Sequence, residues 1–236
     1  MNIIVTGASR GIGYELVKQF SADPANKIVA IARNKKALTK LKEECKKVNR
    51  SSSIFIVEAD LSDLDSIGSL AKDIIKEIKH VDVLINNAGA LVNKPFAATT
   101  ITELENIYRV NVFSIYKLIQ ELFPHFNKKQ RTHVVNISSM GGVQGSVKFS
   151  GLSAYSSSKA ALIGLTECLA EEFKTKNITV NCLALGSVQT EMFAQAFPNY
   201  KAKTSAKDMA KFIATFALTG HQNFNGKILP VSVSTT

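Results

Sequence analysis

The stretch TGASRGIGYEL, residues 6–16, decides the fold of this chain. It follows the apolar run of residues 3–5, and Gly7, Gly11 and Gly13 separate that run from a helical pattern. Glycines between a strand and a helix allow a tight turn and a close approach of the backbone to a phosphate, which the first N–H groups of the helix attract. Because the spacing is G-x3-G-x-G rather than G-x-G-x-x-G, the turn alone indicates either a nucleotide site or a connection without a ligand.

Apolar, β-rich runs alternate with helical patterns along the rest of the chain. The predicted strands are residues 2–6, 27–32, 53–59, 81–86, 133–138, 179–185 and 227–233. The helical patterns cover residues 11–21, 35–48, 63–79, 101–128, 154–176 and 205–219. Several strands are continuous apolar runs, which is typical of strands buried on both faces. The alternation predicts an α/β, doubly wound fold: a seven-stranded parallel sheet with right-handed crossovers, helices on both faces, and ligands at the carboxyl ends of the strands.

The bulk composition predicts one globular domain covering residues 1–236. The chain is 45% hydrophobic with a mean hydropathy of +0.06, and no linker, repeat or low-complexity segment divides it. We expect neither a secretory signal nor a membrane span, because no run reaches the ~20 apolar residues that a span requires. Three widely spaced cysteines, Cys45, Cys168 and Cys182, and four histidines indicate a reduced, cytoplasmic protein without disulfides or a metal site.

The net charge of +10 has two interpretations. In residues 34–50, lysines fall between apolar positions at helical spacing, which is typical of a solvated helix face. The alternative is an acidic partner, such as a phosphorylated cofactor, an acyl carrier protein or a nucleic acid. Because the chain has no nucleic-acid motif, we expect no nucleic-acid binding.

The end of the second strand predicts which dinucleotide the chain prefers. Dinucleotide folds usually place an acid there, about 20 residues past the glycines, to hold the adenosine ribose. Arg33 stands at that place, and the nearest acid, Asp23, precedes the strand. An arginine pairs with a 2′-phosphate through two hydrogen bonds, whereas an acid repels it. With Arg10 and Lys36 adding charge, the sequence favours NADP over NAD; the alternative is an ordinary surface arginine.

Two further strand ends face the same crevice. Asp60 and Leu61 close the third strand, where the Asp60 carboxylate could accept a hydrogen bond from an adenine amino group; the alternative is helix capping, for which Ser62 or Asp63 is better suited. The run NNAG, residues 86–89, closes the fourth strand. Its small residues either let the backbone pass close to a cofactor or form a simple turn.

The run SAYSSSKA, residues 153–160, places Tyr155 and Lys159 on one face of a helix. A free tyrosine has a pKa of about 10. A nearby ammonium lowers that pKa and makes the phenol a general acid or base for a carbonyl oxygen. Ser138 and Ser139, at the end of the fifth strand, offer a hydroxyl to hold this oxygen, and the hydride must come from a cofactor. Taken alone, the pair could equally be surface residues.

Together these segments resemble the short-chain dehydrogenase/reductase family. The matching pieces are TGASRGIG, NNAG, NVFSIY, NISS, YSSSK and ITVNCLALGSVQT, in the family's order over essentially the whole chain. The resemblance implies a Rossmann-type fold that binds NADP(H) along its strand ends, with Val188 and Thr190 at the nicotinamide carboxamide and a phosphate. The coenzyme contacts that it implies are Gly7, Ser9, Arg10, Gly11, Ile12, Gly13, Arg33, Asp60, Leu61, Asn87, Ala88, Gly89, Tyr155, Lys159, Val188 and Thr190.

The resemblance also implies four catalytic residues. Ser139 would orient the substrate and Tyr155 would donate the proton. Lys159 would bind the nicotinamide ribose and tune Tyr155, and Asn111 would hold a relay water near the lysine.

The chain departs from the family in two places. Leu185 stands where the family has a proline before Gly186, which leaves φ free and predicts a looser loop. Residues 139–155 also form a longer segment than is typical. This segment should border the substrate mouth, where it either creates specificity or shifts the role of Ser139 to Ser138.

The implied activity is that of an NADPH-dependent carbonyl reductase. A 3-oxoacyl-(acyl-carrier-protein) reductase is one candidate, since a basic surface suits an acidic carrier. A reductase of small ketones or of a pteridine, similar to sepiapterin reductase, is the alternative. A redox-sensing protein that binds NADP without turnover belongs to another class, and the intact set of catalytic residues argues against it.

Two features bear on the substrate and on assembly. The lid, residues 189–204, is apolar at Met192, Phe193 and Phe197, which suggests a partly hydrophobic carbonyl substrate. The helices predicted at residues 101–128 and 154–176 carry apolar residues beyond one face. These residues predict either a homodimer or homotetramer, or burial entirely against the sheet.

Overall fold

The computed structural model describes residues 1–233, and its central sheet confirms the predicted α/β arrangement. The sheet contains β1 (Asn2–Thr6), β2 (Lys27–Ala32), β3 (Ser53–Glu58), β4 (Val83–Asn86), β5 (Thr132–Ser139), β6 (Ile178–Leu185) and β9 (Ile228–Val231). Two short strands, β7 (Val188–Gln189) and β8 (Thr204–Ser205), pair with each other outside it. The strand order is β3-β2-β1-β4-β5-β6-β9, and every neighbouring pair is parallel. The order reverses between β1 and β4, which opens a crevice at their carboxyl ends.

Helices cover both faces of this sheet. They are α1 (Gly11–Phe20), α2 (Lys35–Val48), α3 (Ile67–Ile78), α4 (Ile101–Tyr108), α5 (Ser114–Leu122), α6 (Ser153–Glu172), α7 (Glu191–Ala196) and α8 (Ala206–Thr219). One apolar layer joins the sheet to α1, α2 and α8, and the other joins it to α3, α5 and α6. Successive residues of β1 serve opposite layers, since Ile3 and Val5 belong to the first and Ile4 to the second.

The prediction of one continuous helix over residues 101–128 is wrong, because the segment forms two α-helices. A π-helical turn, Arg109–Phe113, separates α4 from α5, and α5 ends at Leu122 before the 3-10 turn Phe123–His125. Pro124 has no N–H to continue the hydrogen-bond ladder, so the helix stops there. The other boundaries differ by a few residues. Val81, predicted to begin the fourth strand, instead makes an isolated bridge to Phe126.

The apolar residues that suggested a subunit contact are almost all buried within this chain. Only Leu165 of that set is partly exposed. The buried members are Ile115, Leu118, Ile119, Leu122, Leu162, Leu169 and Phe173. These side chains therefore pack against the sheet, as the alternative interpretation holds, and they provide no argument for an oligomer.

Two further properties concern only residues 1–233. No helix in this range has the length and apolar character that crossing a bilayer requires. Within the same range the three cysteines are free, with Cys45 and Cys182 buried and Cys168 exposed.

Candidate active site

The glycine turn after β1 leaves no room for larger residues. Gly7 and Gly11 adopt φ values of +70° and +55°, in the left-handed region. A Cβ atom on Gly13 would lie 2.3 Å from the carbonyl oxygen of Gly7, and one on Gly7 would lie 2.8 Å from the Cα of Ala88. The exposed side chain of Arg10 stands at the N-cap of α1. This cradle of bare backbone at a helix N-terminus fits the pyrophosphate of a dinucleotide.

Thr6 joins the glycine turn to the end of β4. Its Oγ1 accepts hydrogen bonds from the backbone N–H groups of Asn87 and Ala88, both at 3.0 Å. The Asn87 Nδ2 donates to the Thr6 carbonyl oxygen at 2.9 Å. The predicted contacts at residues 87 and 88 therefore border the glycine turn. Sequence reasoning missed Thr6, although a hydroxyl residue directly before Gly7 was a usable signal.

A cleft of about 530 Å³ brings the glycine turn together with the lid. Its lining includes Ser9, Arg10, Gly11 and Thr190. The Thr190 Cγ2 would lie 3.3 Å from a Cβ atom on Gly11, and the Thr190 Oγ1 caps α7 by accepting from the Phe193 N–H at 3.2 Å. Of the other predicted contacts, Ile12 packs against the core and Val188 is buried.

A second cleft, of about 820 Å³, lies beside Arg33 at the start of α2. Its lining also includes Lys35, Lys36 and Lys40. The Arg33 side chain is 75% exposed, and its Nη1 lies 3.8 Å from an oxygen of Asp60. Glu43 and Glu58 also line this opening, so its four basic side chains outnumber two acidic ones, and the excess positive charge suits the 2′-phosphate that the sequence predicts.

Asp60 is held by its own loop as well as by Arg33. Its Oδ1 accepts from the N–H and the hydroxyl of Ser62 at 2.9 and 2.8 Å. Burial alone would raise the pKa of the Asp60 carboxyl, but the hydrogen bonds from Ser62 and the Arg33 charge lower it overall. The side chain of Leu61 belongs to the apolar layer that contains α3, so only its backbone could reach a coenzyme.

Tyr155 is a partly exposed residue in the first turn of α6, and Ser139, at the end of β5, lies near enough to act on the pKa of its phenol. Burial raises the pKa of the phenol, and the nearby Ser139 hydroxyl offsets only part of this increase. The expected lowering of the pKa of Tyr155 by Lys159 is therefore wrong for this arrangement. Desolvation dominates, and the Lys159 ammonium donates to the Ile137 carbonyl oxygen at 2.8 Å rather than to the phenol.

Lys159 lies beneath the tyrosine ring. Its Nζ is 5.8 Å from the centroid of the Tyr155 ring and donates to the Ile137 carbonyl oxygen at 2.8 Å. Burial lowers the pKa of Lys159 to about 8, while the nearby Cys182 acts in the opposite direction. The Cα of Gly89 is close by, since a Cβ atom there would lie 3.6 Å from Nζ.

The two serines at the end of β5 have different tasks. The buried Ser138 donates its hydroxyl to the Lys159 carbonyl oxygen at 2.9 Å, which holds α6 against the strand. Ser139 is partly exposed, acts on the pKa of Tyr155 and accepts from the Gly141 N–H at 3.2 Å. This division favours Ser139 over Ser138 as the substrate-orienting residue.

Asn111 is fully buried in the π-helical turn. Its Oδ1 accepts from the Ala90 N–H at 2.8 Å, and its Nδ2 donates to the Ala90 carbonyl and to the Ser158 hydroxyl, both at 2.9 Å. The side chain thus fixes the loop after β4 next to Lys159. Both amide protons are used, so the relay water stays a prediction. Sequence reasoning did not single out Ser158.

Comparisons with known proteins identify the family of this chain. The family model for short chain dehydrogenases matches residues 1–201, so the chain belongs to the short-chain dehydrogenase/reductase family of oxidoreductases that bind a nicotinamide coenzyme. A fatty acyl-CoA reductase of Acinetobacter baylyi is 32% identical over 193 residues, which are 81% of this chain and 63% of that protein. The chain therefore spans less than two thirds of this relative. A 3-oxoacyl-(acyl-carrier-protein) reductase of Staphylococcus aureus is 30% identical over 189 residues, 80% of this chain and 75% of the relative.

Solved structures match almost the whole chain. Levodione reductase superposes with a TM-score of 0.88 at 20% identity, over 98% of this chain and 95% of that one, which shows the fold. A short chain dehydrogenase of Shigella flexneri, complexed with NADP, superposes with a TM-score of 0.86 at 26% identity, over 97% and 95% of the two chains.

Proposed function

We propose that this chain is an NADPH-dependent carbonyl reductase of the short-chain type. The observation that carries the proposal is the arrangement of Ser139, Tyr155 and Lys159: Ser139, at the end of β5, acts on the pKa of the Tyr155 phenol, and the Lys159 ammonium lies 5.8 Å from the centroid of the ring. A partly exposed phenol with an adjacent serine can bind and protonate a carbonyl oxygen. A phenol whose pKa is not below its usual value of about 10 is protonated at neutral pH, which a proton donor requires.

Each residue has a definite task in this proposal. When bound, the reduced coenzyme supplies the hydride for the carbonyl carbon. The glycine turn would hold its pyrophosphate and Arg33 its 2′-phosphate. Ser139 orients the substrate oxygen, and Tyr155 transfers its phenolic proton to that oxygen. The Lys159 ammonium then stabilises the phenolate, since opposite charges attract strongly in a buried site.

NADP is favoured over NAD by the basic cleft around Arg33. An NAD-specific site would need an acid to accept from the ribose hydroxyls at the end of β2. The NADP complex of the related Shigella dehydrogenase supports the same choice.

For the substrate we propose a 3-oxoacyl thioester or a similar apolar carbonyl compound. The Staphylococcus relative is named for acyl-carrier-protein substrates, and the net charge of +10 suits an acidic carrier. Small ketones and pteridines, as in sepiapterin reductase, are the alternative. A regulator that binds NADP without turnover would have no need of the serine, tyrosine and lysine in these positions.

We further propose that the protein is a single cytoplasmic domain that works as a homodimer or homotetramer without nucleic-acid or membrane partners. Exposed aromatic residues on and beside α5, Phe113, Tyr116 and Phe123, are available for such an assembly.

The test is NADPH oxidation across acetoacetyl thioesters, diketones, quinones and pteridines, repeated with NADH. We expect turnover of at least one carbonyl class and a clear preference for NADPH. A preference for NADH would contradict the role of Arg33. Tight NADPH binding with no turnover of any carbonyl would favour the regulator.

A further inference from the structure

A row of buried polar side chains joins β4, β5 and α6 in the interior of the chain. The Asn86 Nδ2 donates to the Asn136 Oδ1 at 2.8 Å, and the Asn136 Nδ2 donates to the Thr166 Oγ1 at 2.9 Å. The Thr166 hydroxyl in turn donates to the Leu162 carbonyl oxygen at 2.8 Å. Asn86, Asn136 and Thr166 are each 0% exposed. One continuous chain of hydrogen bonds therefore connects two strands to α6.

Stability gives little reason for a polar row at this place. Its neighbours on the same faces, Val134 of β5 and Leu162 and Leu169 of α6, belong to one apolar layer. Apolar side chains of similar shape would fill the space at little cost, since the desolvation of buried polar groups offsets much of what their hydrogen bonds contribute. Among residues 1–233 the buried Asn86 Oδ1 has no hydrogen-bond partner, which adds to the cost. What the row provides instead is direction, because hydrogen bonds fix where two elements meet.

Side chains on one face of β5 attach α6 to the strand at two points. The Ser138 hydroxyl donates to the Lys159 carbonyl oxygen at 2.9 Å. Asn136 binds the hydroxyl of Thr166, which lies seven residues, or about two helical turns, further along α6. Ser138 and Asn136 share a face because they are two residues apart in a strand. Two attachments fix both the height of α6 along β5 and its tilt, whereas one alone would leave the helix free to pivot.

The catalytic contacts depend on how α6 lies against β5. Ser139 belongs to β5, whereas Tyr155 and Lys159 belong to α6. The Lys159 Nζ donates to the Ile137 carbonyl oxygen of β5 at 2.8 Å, and a Cβ atom on Gly89 would lie 3.6 Å from the same nitrogen. A displacement of about 1 Å between reacting groups can lower a rate by about a hundredfold. A small shift of α6 along the strand would therefore reach the reacting groups.

We propose that Asn136 and Thr166 are positioning residues, whose hydrogen bond holds the proton donor of α6 and the substrate-orienting serine of β5 at the same carbonyl oxygen. Asn86 supports them by fixing the Asn136 amide. This inference rests on the proposed function and adds two residues, outside the catalytic set, that determine its rate. Neither residue touches substrate or coenzyme, so both act on the chemical step rather than on binding.

The test is NADPH-dependent reduction of the best substrate in the carbonyl panel by three variants. Thr166→Val keeps the shape of the side chain but removes its hydroxyl, and should lower kcat about tenfold while KM changes by less than about twofold. Thr166→Ser retains the hydroxyl and should keep kcat within about twofold of the wild-type value. Thr132→Val is the matched control. The buried Thr132 hydroxyl donates to the Val81 carbonyl oxygen at 2.9 Å at the opposite end of β5, and its loss should leave kcat within about twofold.

Urea denaturation relates these rates to stability. Each valine variant loses one buried hydroxyl, so the two unfolding midpoints should fall by similar amounts, while only Thr166→Val loses activity. Equal kcat values in the two valine variants would overturn the inference. So would a kcat of Thr166→Ser as low as that of Thr166→Val, or a change that is confined to KM.

Amide hydrogen exchange separates a failure of this inference from a failure of the proposed function. The amides of residues 155–165 should exchange about tenfold faster in Thr166→Val than in the wild type, because α6 has lost one of its attachments, and at the wild-type rate in Thr132→Val. If the wild type reduces no compound of the panel, the proposed function fails, and this measurement still decides whether the bond to Thr166 places α6. Unchanged exchange of these amides in Thr166→Val would overturn the inference.

Discussion

The ammonium of Lys159 lies 5.8 Å from the centroid of the Tyr155 ring and is bound to the Ile137 carbonyl oxygen, 2.8 Å away. The lysine is therefore positioned by the backbone of β5 rather than by the phenol itself. Burial raises the pKa of Tyr155 and lowers that of Lys159 to about 8. At neutral pH the pair consists of a neutral phenol above a mostly charged ammonium, which is the state that a proton donor requires.

The two serines of β5 should respond differently to loss of the hydroxyl. Ser139→Ala removes a donor to the substrate oxygen and should lower kcat/KM by about a hundredfold with little change in stability. Ser138→Ala removes the buried bond to Lys159 and should cost about 1 kcal/mol of unfolding free energy. Steady-state kinetics and urea denaturation of both variants check this assignment. A larger loss of activity in Ser138→Ala than in Ser139→Ala would reverse it.

Arg33 should determine the preference for the coenzyme. Arg33→Ala should raise the Kd for NADPH by about tenfold to a hundredfold, because charge-assisted bonds to the 2′-phosphate are lost, and should leave the Kd for NADH unchanged. Lys46→Ala, at the exposed far end of α2, is the matched control and should affect neither coenzyme. Fluorescence titration of the wild type and both variants with each coenzyme measures the six dissociation constants. Parallel weakening of NADPH and NADH binding in Arg33→Ala would argue against a phosphate contact.

A methyl group at Gly13 should disrupt the glycine turn. Its carbon would lie 2.3 Å from the Gly7 carbonyl oxygen, so Gly13→Ala should destabilise the fold by about 2 kcal/mol and abolish NADPH binding. Gly164→Ala is the control: Gly164 lies inside α6, and apart from its neighbours and the nearby backbone of that helix, nothing in residues 1–233 lies within 4 Å of the added carbon. That variant should gain about 0.5–1 kcal/mol through helix propensity. Thermal unfolding with and without NADPH gives both results.

His133 should make the fold sensitive to acid. Its Nδ1 lies 2.9 Å from the Ala217 carbonyl oxygen and its Nε2 lies 3.0 Å from the Asn181 Nδ2, which suits a neutral ring with the proton on Nδ1. Burial lowers the pKa of His133 from 6.5 to about 4. Between these values the unfolded chain binds a proton that the folded chain does not, so stability falls as the pH drops from 6.5 towards 4, by about 3 kcal/mol in total.

His133→Gln keeps a neutral side chain with a donor and an acceptor at this position. Between pH 6.5 and 4 the unfolding free energy of the wild type should fall by about 3 kcal/mol more than that of the variant, because the variant lacks the titrating imidazole. Urea denaturation at several pH values measures the difference. Identical pH dependence in the two proteins would show that His133 is not the responsible group.

Much of this architecture is predictable from the sequence, because strands that are buried on both faces of a parallel sheet appear as continuous apolar runs. The site is also indicated by local patterns. A tight turn after β1 requires the glycines at 7, 11 and 13, and the four-residue spacing of Tyr155 and Lys159 places both side chains on one face of a helix. Local patterns do not predict two other contacts of the site: the hydrogen bond from Lys159 to the Ile137 carbonyl oxygen, and the hydrogen bonds between the Asn111 side chain and the Ala90 backbone. They depend on backbone positions brought together by the fold, which no local pattern encodes.

Two wrong expectations have the same origin. The pKa of Tyr155 depends on how much solvent the phenol loses, and a residue pair on a helix face does not reveal that. The π-helical turn at residues 109–113 follows from the need to bury Asn111 beside Ala90 and Ser158, whereas apolar periodicity alone predicts an unbroken helix.

The most direct test of the account is the Tyr155→Phe variant, assayed for NADPH binding by fluorescence and for single-turnover reduction of the best carbonyl substrate. The account predicts a Kd for NADPH within a few-fold of the wild-type value, since Tyr155 is one of many coenzyme contacts. It predicts a rate of reduction lower by about a thousandfold, because the substitution removes the hydroxyl that donates the proton. A variant that reduces the substrate within a few-fold of the wild-type rate would contradict the assignment of Tyr155 as the proton donor.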